Sequence, residues 1–151
     1  MMAEISFLEN QVCFAMYSAT NAMIRQYRPL LQAYDLTYPQ FIVLLALYEK
    51  DNVSISEIGQ KTLFDSGTLT PIIKKLEEKA FLKRIAVKED ERMKKVVLLD
   101  KAVSKKDEII SIPFKLACSL GVDPNDLVAI HNLSHRFLKS LETAQSERLS
   151  N

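Results

Sequence analysis

Two thiols and five phenols are the side chains of this 151-residue sequence whose types and spacing suit chemistry near neutral pH. Cys13 and Cys118 are too few and too far apart for a disulfide framework or a zinc site. Cys13 lies in Gln11-Val-Cys-Phe-Ala-Met-Tyr-Ser18, with Tyr17 one helical turn away and Tyr27 fourteen residues on. Fourteen steps of about 100° fall roughly 40° short of four turns, so Cys13 and Tyr27 share a helix face while standing about 21 Å apart along it. A second copy of this helix running antiparallel brings one chain's Tyr27 to the other's Cys13, and Tyr38 is placed to join them. A lone cysteine on an apolar helix face is most often an inert packing residue. A thiolate that accepts hydrogen bonds from phenols is instead stabilised in its charged form, the form that peroxides oxidise to a sulfenic acid. Cys118 falls in the last turn before Gly121, where the helix dipole disfavours negative charge. It therefore suits a resolving thiol better than a first nucleophile, unless it only packs within Pro113-Phe-Lys-Leu-Ala-Cys118. His131 and His135 are four apart, a chelating spacing, but no third ligand accompanies them. No metal and no cofactor are expected.

The elements that position these groups are mainly helical. Leu8, Val12, Ala15, Met16, Ala19, Met23, Ile24, Leu30 and Leu31 recur at three- and four-residue steps. They predict a helix from Phe7 to about Tyr34, kinked or ended by Pro29. Thr37 and Gln40 form a capping box for a second helix starting near Tyr38, and Ser54 and Glu57 form one for a short helix to about Thr62. After a loop at Leu63–Ser66, a helix from about Gly67 to Lys79 is capped between Asp65 and Thr68, with Pro71 in about its first turn. Two helices of this size and separation have the dimensions of a helix-turn-helix. Phe81–Val87 and Lys94–Leu99 read as a β-hairpin, or wing, with the charged tip Lys88–Met93. A helix from about Ala102 to Leu120 follows, stopped by Gly121, with Pro113 implying a kink or a later start. Asp123-Pro-Asn-Asp126 caps a last helix that is expected to fray from Ser146. The fold class is mainly α with a small β-hairpin wing, a winged helix-turn-helix. Residues of about 37–100 make the DNA-binding region, and about 7–36 and 102–144 make helices whose surplus apolar faces imply dimerisation.

Composition fits one globular chain, with 48% hydrophobic and 26% charged residues. No apolar run reaches the roughly 18 residues that span a bilayer. The start lacks a basic region followed by an apolar stretch, so neither a signal peptide nor a membrane partner is expected, and the cytoplasm is the expected location. Net charge is only +1, but between Ser66 and Lys106 twelve basic residues face six acidic ones, an excess of +6 (12 − 6). Such a run is either a phosphate-facing surface or a solvated face. Ser66, Thr68 and Thr70 stand at the amino end of the second helix of the pair, where small hydroxyls reach bases or phosphates, with Lys74 and Lys75 further along. Arg92 on the hairpin tip can enter a minor groove, oriented by Asp90.

The Leu63–Glu77 segment, the Asp90-Glu-Arg92 tip and the Gln11–Ser18 start resemble MarR-type winged-helix regulators, and more narrowly the organic-hydroperoxide-sensing OhrR branch. The likeness covers nearly all of residues 7–140. Leu98-Leu-Asp-Lys-Ala102 departs from the branch's usual Leu-Thr-x-x-Gly turn. The resemblance implies a homodimeric repressor on pseudo-palindromic double-stranded operator DNA. Ser66, Thr68 and Lys75 would lie at the major groove, with Asp90 and Arg92 at the wing. It also implies that tyrosines at the positions of Tyr27 and Tyr38 hydrogen-bond the reactive cysteine, with Tyr17 nearby. An organic hydroperoxide would be the oxidant. In two-cysteine members a second cysteine in the region of Cys118 closes a disulfide to the first across the dimer. A repressor governed by a small aromatic ligand, with Cys13 incidental, is the alternative. A thiol peroxidase is a third reading, disfavoured because no Gly-rich loop, metal cluster or acid–base pair is visible, so the protein is not expected to be an enzyme.

Overall fold

The structure is a computed structural model that describes residues 7–87 and 90–149, the side chains of 87–93 and 148–149 excepted. A 3₁₀ turn at Leu8–Asn10 leads into α1, Val12–Gln32. Pro29 does not end α1, which continues through it to Gln32. A proline so close to the end removes one ladder bond where few remain to be made. Only Tyr27 and Leu31 of α1 are buried.

α2, Tyr38–Glu49, begins as the capping residues require, with the Thr37 N–H donating to Gln40 Oε1 at 3.0 Å. It buries Phe41, Val43, Leu44 and Leu47, and is the central helix of the core. The Ser54 and Glu57 box also forms, with the Glu57 N–H donating to Ser54 Oγ at 3.2 Å and the Ser54 N–H to Glu57 Oε2 at 2.9 Å. It opens α3, Ile55–Thr62. α4 spans Ser66–Glu78, starting one residue earlier than expected, so that Pro71 lies in its second turn. The carbonyl that its ring must clear belongs to Gly67, four residues back. Leu69, Ile73 and Leu76, at helical spacing, are each at most 1% exposed.

β2, Leu82–Val87, and β3, Asp90–Leu98, make the hairpin. β3 begins at Asp90, so residues 90–93 continue the strand where the sequence suggested a loop. A register shift falls between Ala86 and Val87. A third strand, β1 at Val53–Ser54, was not anticipated, because Ser54 reads in sequence only as a helix cap. It pairs antiparallel with β3, Val53 opposite Val96, and the sheet order is β1-β3-β2. Val96 is thereby central and fully buried.

Where one helix was expected from Ala102 to Leu120, kinked at Pro113 or starting later, there are three: α5 at Asp100–Ser104, α6 at Lys106–Ile110 and α7 at Ile112–Leu120, the last starting one residue before Pro113. Ser104 Oγ donates to Lys101 O at 3.1 Å and Ser111 Oγ to Glu108 O at 2.7 Å. Serines bonded back to carbonyls compete with the helical ladder, and the breaks fall beside them. Pro113 sits second in α7, where a missing N–H is tolerated. Gly121 ends α7 at φ +63°, a conformation strained for residues with a Cβ. α8 runs from Pro124 to Leu149, so the expected fraying at Ser146 does not occur at that residue. The chain divides into two compact units after Pro113. Within the first, four non-glycine residues take left-handed backbone: Asp35, Asn52, Leu63 and Ala80, φ 55–59°.

Candidate DNA interface and thiol environment

Burial of Leu69, Ile73 and Leu76 fixes which side of α4 faces outward. Ser66, Thr68, Thr70, Lys74 and Lys75 are all exposed. Two of the hydroxyl protons are already committed. Thr68 Oγ1 donates to Asp65 Oδ2 at 2.7 Å, while the Thr68 N–H donates to Asp65 Oδ1 at 2.8 Å. Thr70 Oγ1 donates to Ser66 O at 2.7 Å. The Thr68 bonds hold the Asp65 carboxyl below its ordinary pKa, keeping it a charged helix cap. Thr68 and Thr70 therefore offer acceptor lone pairs outward, whereas the lysines offer donors.

Several of these basic residues are engaged within the chain. Arg84 binds Glu77 through Nε at 2.9 Å and Nη2 at 2.6 Å, and the Arg84 N–H donates to Glu77 Oε1 at 2.9 Å. This clamp joins α4 to β2 and lowers the Glu77 pKa, chiefly through the Arg84 hydrogen bonds. Lys74 reaches Glu78 at 3.9 Å, Lys79 pairs with Asp35 and Lys105 with Glu108. Lys101 donates to Lys79 O at 2.9 Å and its ammonium lies 4.5 Å from the Phe81 ring centre. The clamp escaped sequence reasoning, which counted Glu77 and Arg84 only as charges. Their seven-residue separation across a turn into a strand has no local signature. The Asp90 and Arg92 side chains lie outside the described residues.

Cys13 is exposed in the first turn of α1, and Tyr17 is 67% exposed. Val12, Met16 and Met23 on the same helix are between 40% and 66% exposed. Tyr27 and Tyr38 are brought together, their ring centres 5.0 Å apart, with Phe41 5.7 Å from Tyr27. Burial pushes both phenols above the ordinary tyrosine pKa, and Tyr38 adds to the effect at Tyr27. Both therefore keep their protons at neutral pH, which leaves each hydroxyl able to donate a hydrogen bond. Because α1 is continuous, Cys13 stands about 21 Å up the helix from Tyr27. A groove of about 400 Å³ beside Tyr38 is lined by Ile24, Arg28, Leu31, Leu36, Thr37 and Pro39. Cys118 is exposed near the end of α7. The His131 and His135 ring centres are 4.4 Å apart, and among the described residues no third metal ligand joins them. Among those residues, too, no helix is long and apolar enough to cross a membrane.

A helix-turn-helix fixed to a β-hairpin, with a third short strand completing the sheet, defines the winged-helix class of DNA-binding proteins. The chain belongs to the SarA/Rot family of transcriptional regulators, which it matches over residues 25–109, within the MarR type. It is 33% identical to the organic hydroperoxide resistance transcriptional regulator of Bacillus subtilis, over 89% of this chain and 91% of that one. It is 41% identical to the HTH-type transcriptional regulator TtmR of Methylorubrum extorquens over 76% of this chain, a match spanning 59% of that longer protein. In structure it is similar to AbfR of Staphylococcus epidermidis, solved reduced and bound to DNA. That likeness has TM-score 0.75 and 28% identity, covering 93% of this chain and 98% of AbfR. A disulfide-formed AbfR structure aligns at TM-score 0.62 and 27% identity, covering 91% and 97%.

Proposed function

We propose that this protein is a cytoplasmic redox-sensing repressor that grips pseudo-palindromic operator DNA as a homodimer and releases it when Cys13 is oxidised by an organic hydroperoxide. Residues 37–100 form the reading unit in this scheme, and 7–36 with 102–144 form the dimer helices. Ser66, Thr68, Thr70, Lys74 and Lys75 meet the major groove, and Asp90 with Arg92 the minor groove. The observation that carries the reading is an exposed thiol on α1 together with Tyr27, buried further along the same helix face and packed against the half-buried Tyr38 of α2. A two-fold axis that runs α1 against its copy sets Tyr27 and Tyr38 of one protomer beside Cys13 of the other, with Tyr17 flanking it.

The chemistry balances in two steps. The Cys13 thiolate attacks a peroxide oxygen, the O–O bond breaks, and the departing alkoxide takes a proton to leave as an alcohol, giving the sulfenic acid. The Cys118 thiol of the other protomer then attacks that sulfur, forming a disulfide and releasing water. Drawing the two sulfurs together moves the terminal helices, and the two α4 helices no longer match grooves about 34 Å apart.

The test uses an operator duplex selected from a random pool. Gel-shift affinity is measured before and after cumene hydroperoxide for wild type, Cys13→Ser and Cys118→Ser, with non-reducing mass spectrometry of each. Wild type is released and shows a linkage of Cys13 to Cys118 between chains, and Cys13→Ser stays bound. Release of Cys13→Ser as readily as wild type removes the switch. The groove beside Tyr38 supports a second reading, in which a small aromatic acid governs the repressor and Cys13 is incidental. Thermal stabilisation by salicylate together with indifference to peroxide selects that reading.

A further inference from the structure

Gln40 is the buried polar residue of the core among the described residues, 2% exposed. Its Oε1 accepts two hydrogen bonds, from the Thr37 N–H at 3.0 Å and from Lys79 Nζ at 3.2 Å. Lys79 closes the C-terminal end of α4, its own N–H donating to Lys75 O at 3.1 Å. The same ammonium donates to Asp35 O and pairs with Asp35 Oδ2 at 3.3 Å. Asp35 is the left-handed residue of the turn between α1 and α2. One lysine from the end of the recognition helix is thus anchored to both sides of the segment that delivers Tyr38. Its side chain is only 24% exposed and Gln40 is buried, so water replaces the bond to Gln40 poorly, whereas the Asp35 side chain is 80% exposed.

We infer that Lys79 and Gln40 are positioning residues: a polar strut that fixes Tyr38 relative to the C-terminal end of α4, so that displacement at the phenol pair is transmitted to the DNA-reading helix. Apolar contact between α2 and α4 alone does not impose this registry, because hydrophobic packing is non-directional whereas hydrogen bonds are steep in angle and distance. Tyr38 lies between Thr37 and Gln40 in sequence and against Tyr27 in space. The turn cannot swing without breaking a bond to Lys79 or carrying Lys79 along. The redox signal in this inference rests on the proposed function; the strut itself does not.

Two arms separate them, using the full chain with Lys79→Met, Lys79→Arg and Gln40→Met. In the first, amide hydrogen exchange at residues 34–38 is followed with and without the selected operator duplex and without any oxidant. DNA binding slows exchange there about tenfold in wild type, a coupling of ordinary size, and Lys79→Met abolishes the slowing. Lys79→Arg restores at least part of it. In the second, the ratio of operator Kd after and before peroxide falls at least about fivefold in Lys79→Met, while the extent of Cys13 oxidation is unchanged. Gln40→Met, buried too deeply to touch DNA, reproduces both effects if it folds; if it does not, the contrast between Lys79→Met and Lys79→Arg decides. Wild-type protection of 34–38 in Lys79→Met overturns the strut. So does an equal loss of affinity in both redox states, which marks Lys79 as a mere phosphate contact. Wild-type protein indifferent to peroxide removes the redox reading and leaves the first arm standing.

Discussion

Replacing Glu77 by Ala removes a clamp whose strength can be worked from its geometry. Three hydrogen bonds at 2.6–2.9 Å are lost, two from the Arg84 guanidinium and one from the Arg84 N–H. Hydrogen bonds to charged groups contribute about 1.5–3 kcal/mol each when sequestered, and exposed ion pairs about 0–1 kcal/mol. Both side chains are 31% exposed, so the total belongs between these limits, at about 1–2 kcal/mol. For a chain of this length that is roughly 2–8 °C in Tm. The carboxylate also occupies an N–H of β2, an edge strand in the order β1-β3-β2, so its loss exposes an unpaired donor on that edge. Urea melts at fixed protein concentration measure the effect. Glu77→Gln falls between wild type and Glu77→Ala, because an amide oxygen still accepts but the charge is gone. The Glu77 pKa is depressed in the folded state, so its contribution is complete above the ordinary carboxylate value of 4.5 and is lost as pH falls through the lower folded value. The gap between wild type and Glu77→Gln must therefore close on acidification below 4.5. A Glu77→Ala protein within about 0.3 kcal/mol of wild type at neutral pH, or a gap that widens in acid, refutes the clamp.

Leu76→Ala leaves a void at a fully buried position on α4 and should lower unfolding free energy by about 2–5 kcal/mol in the same melts. The Glu57 carboxyl is held down to about 2 by the Ser54 N–H first, then by Lys50 and the Ser54 hydroxyl. Its NMR titration midpoint should lie well under 4.5, and Ser54→Ala should raise it while costing about 1 kcal/mol of stability through the lost cap. Lys75→Met should weaken operator binding and reduce the slope of log K against log salt by about 1, as expected for loss of one phosphate contact. An unchanged slope places Lys75 off the backbone.

Much of this architecture was legible in the residues because local signals and burial agreed. The pairs Thr37 with Gln40 and Ser54 with Glu57 marked helix starts correctly, since a capping box is made within four residues and needs no tertiary context. Of the apolar residues Leu69, Ile72, Ile73 and Leu76 on α4, all but Ile72 are buried, as helical spacing implies for an inner face. What was illegible depends on distant partners. β1 consists of two residues whose strand character exists only because Val53 finds Val96. The division of 100–120 into three helices turns on serines bonding back to carbonyls, where apolar periodicity alone read one helix. Lys79 and Arg84 entered the sequence reading as members of a basic run, and folding turns both inward to acidic or carbonyl oxygens. The sharing of a helix face by Cys13 and Tyr27 was computable from helix geometry and Tyr38 was expected to join them; that the two tyrosine rings pack 5.0 Å apart depends on the turn at Asp35.

The left-handed residues at that turn and its counterparts carry a mechanical consequence. Asp35, Asn52, Leu63 and Ala80 stand at the junctions α1/α2, α2/β1, α3/α4 and α4/β2, and none is glycine. A residue with a Cβ pays about 1–2 kcal/mol to enter this narrow well and has little torsional play once there. These four residues therefore set the angles between successive elements of the first unit within a narrow range of backbone torsion. In the proposed switch, letting go of DNA is then a matter of re-aiming each reading unit, with its readout surface left undistorted and ready to engage again.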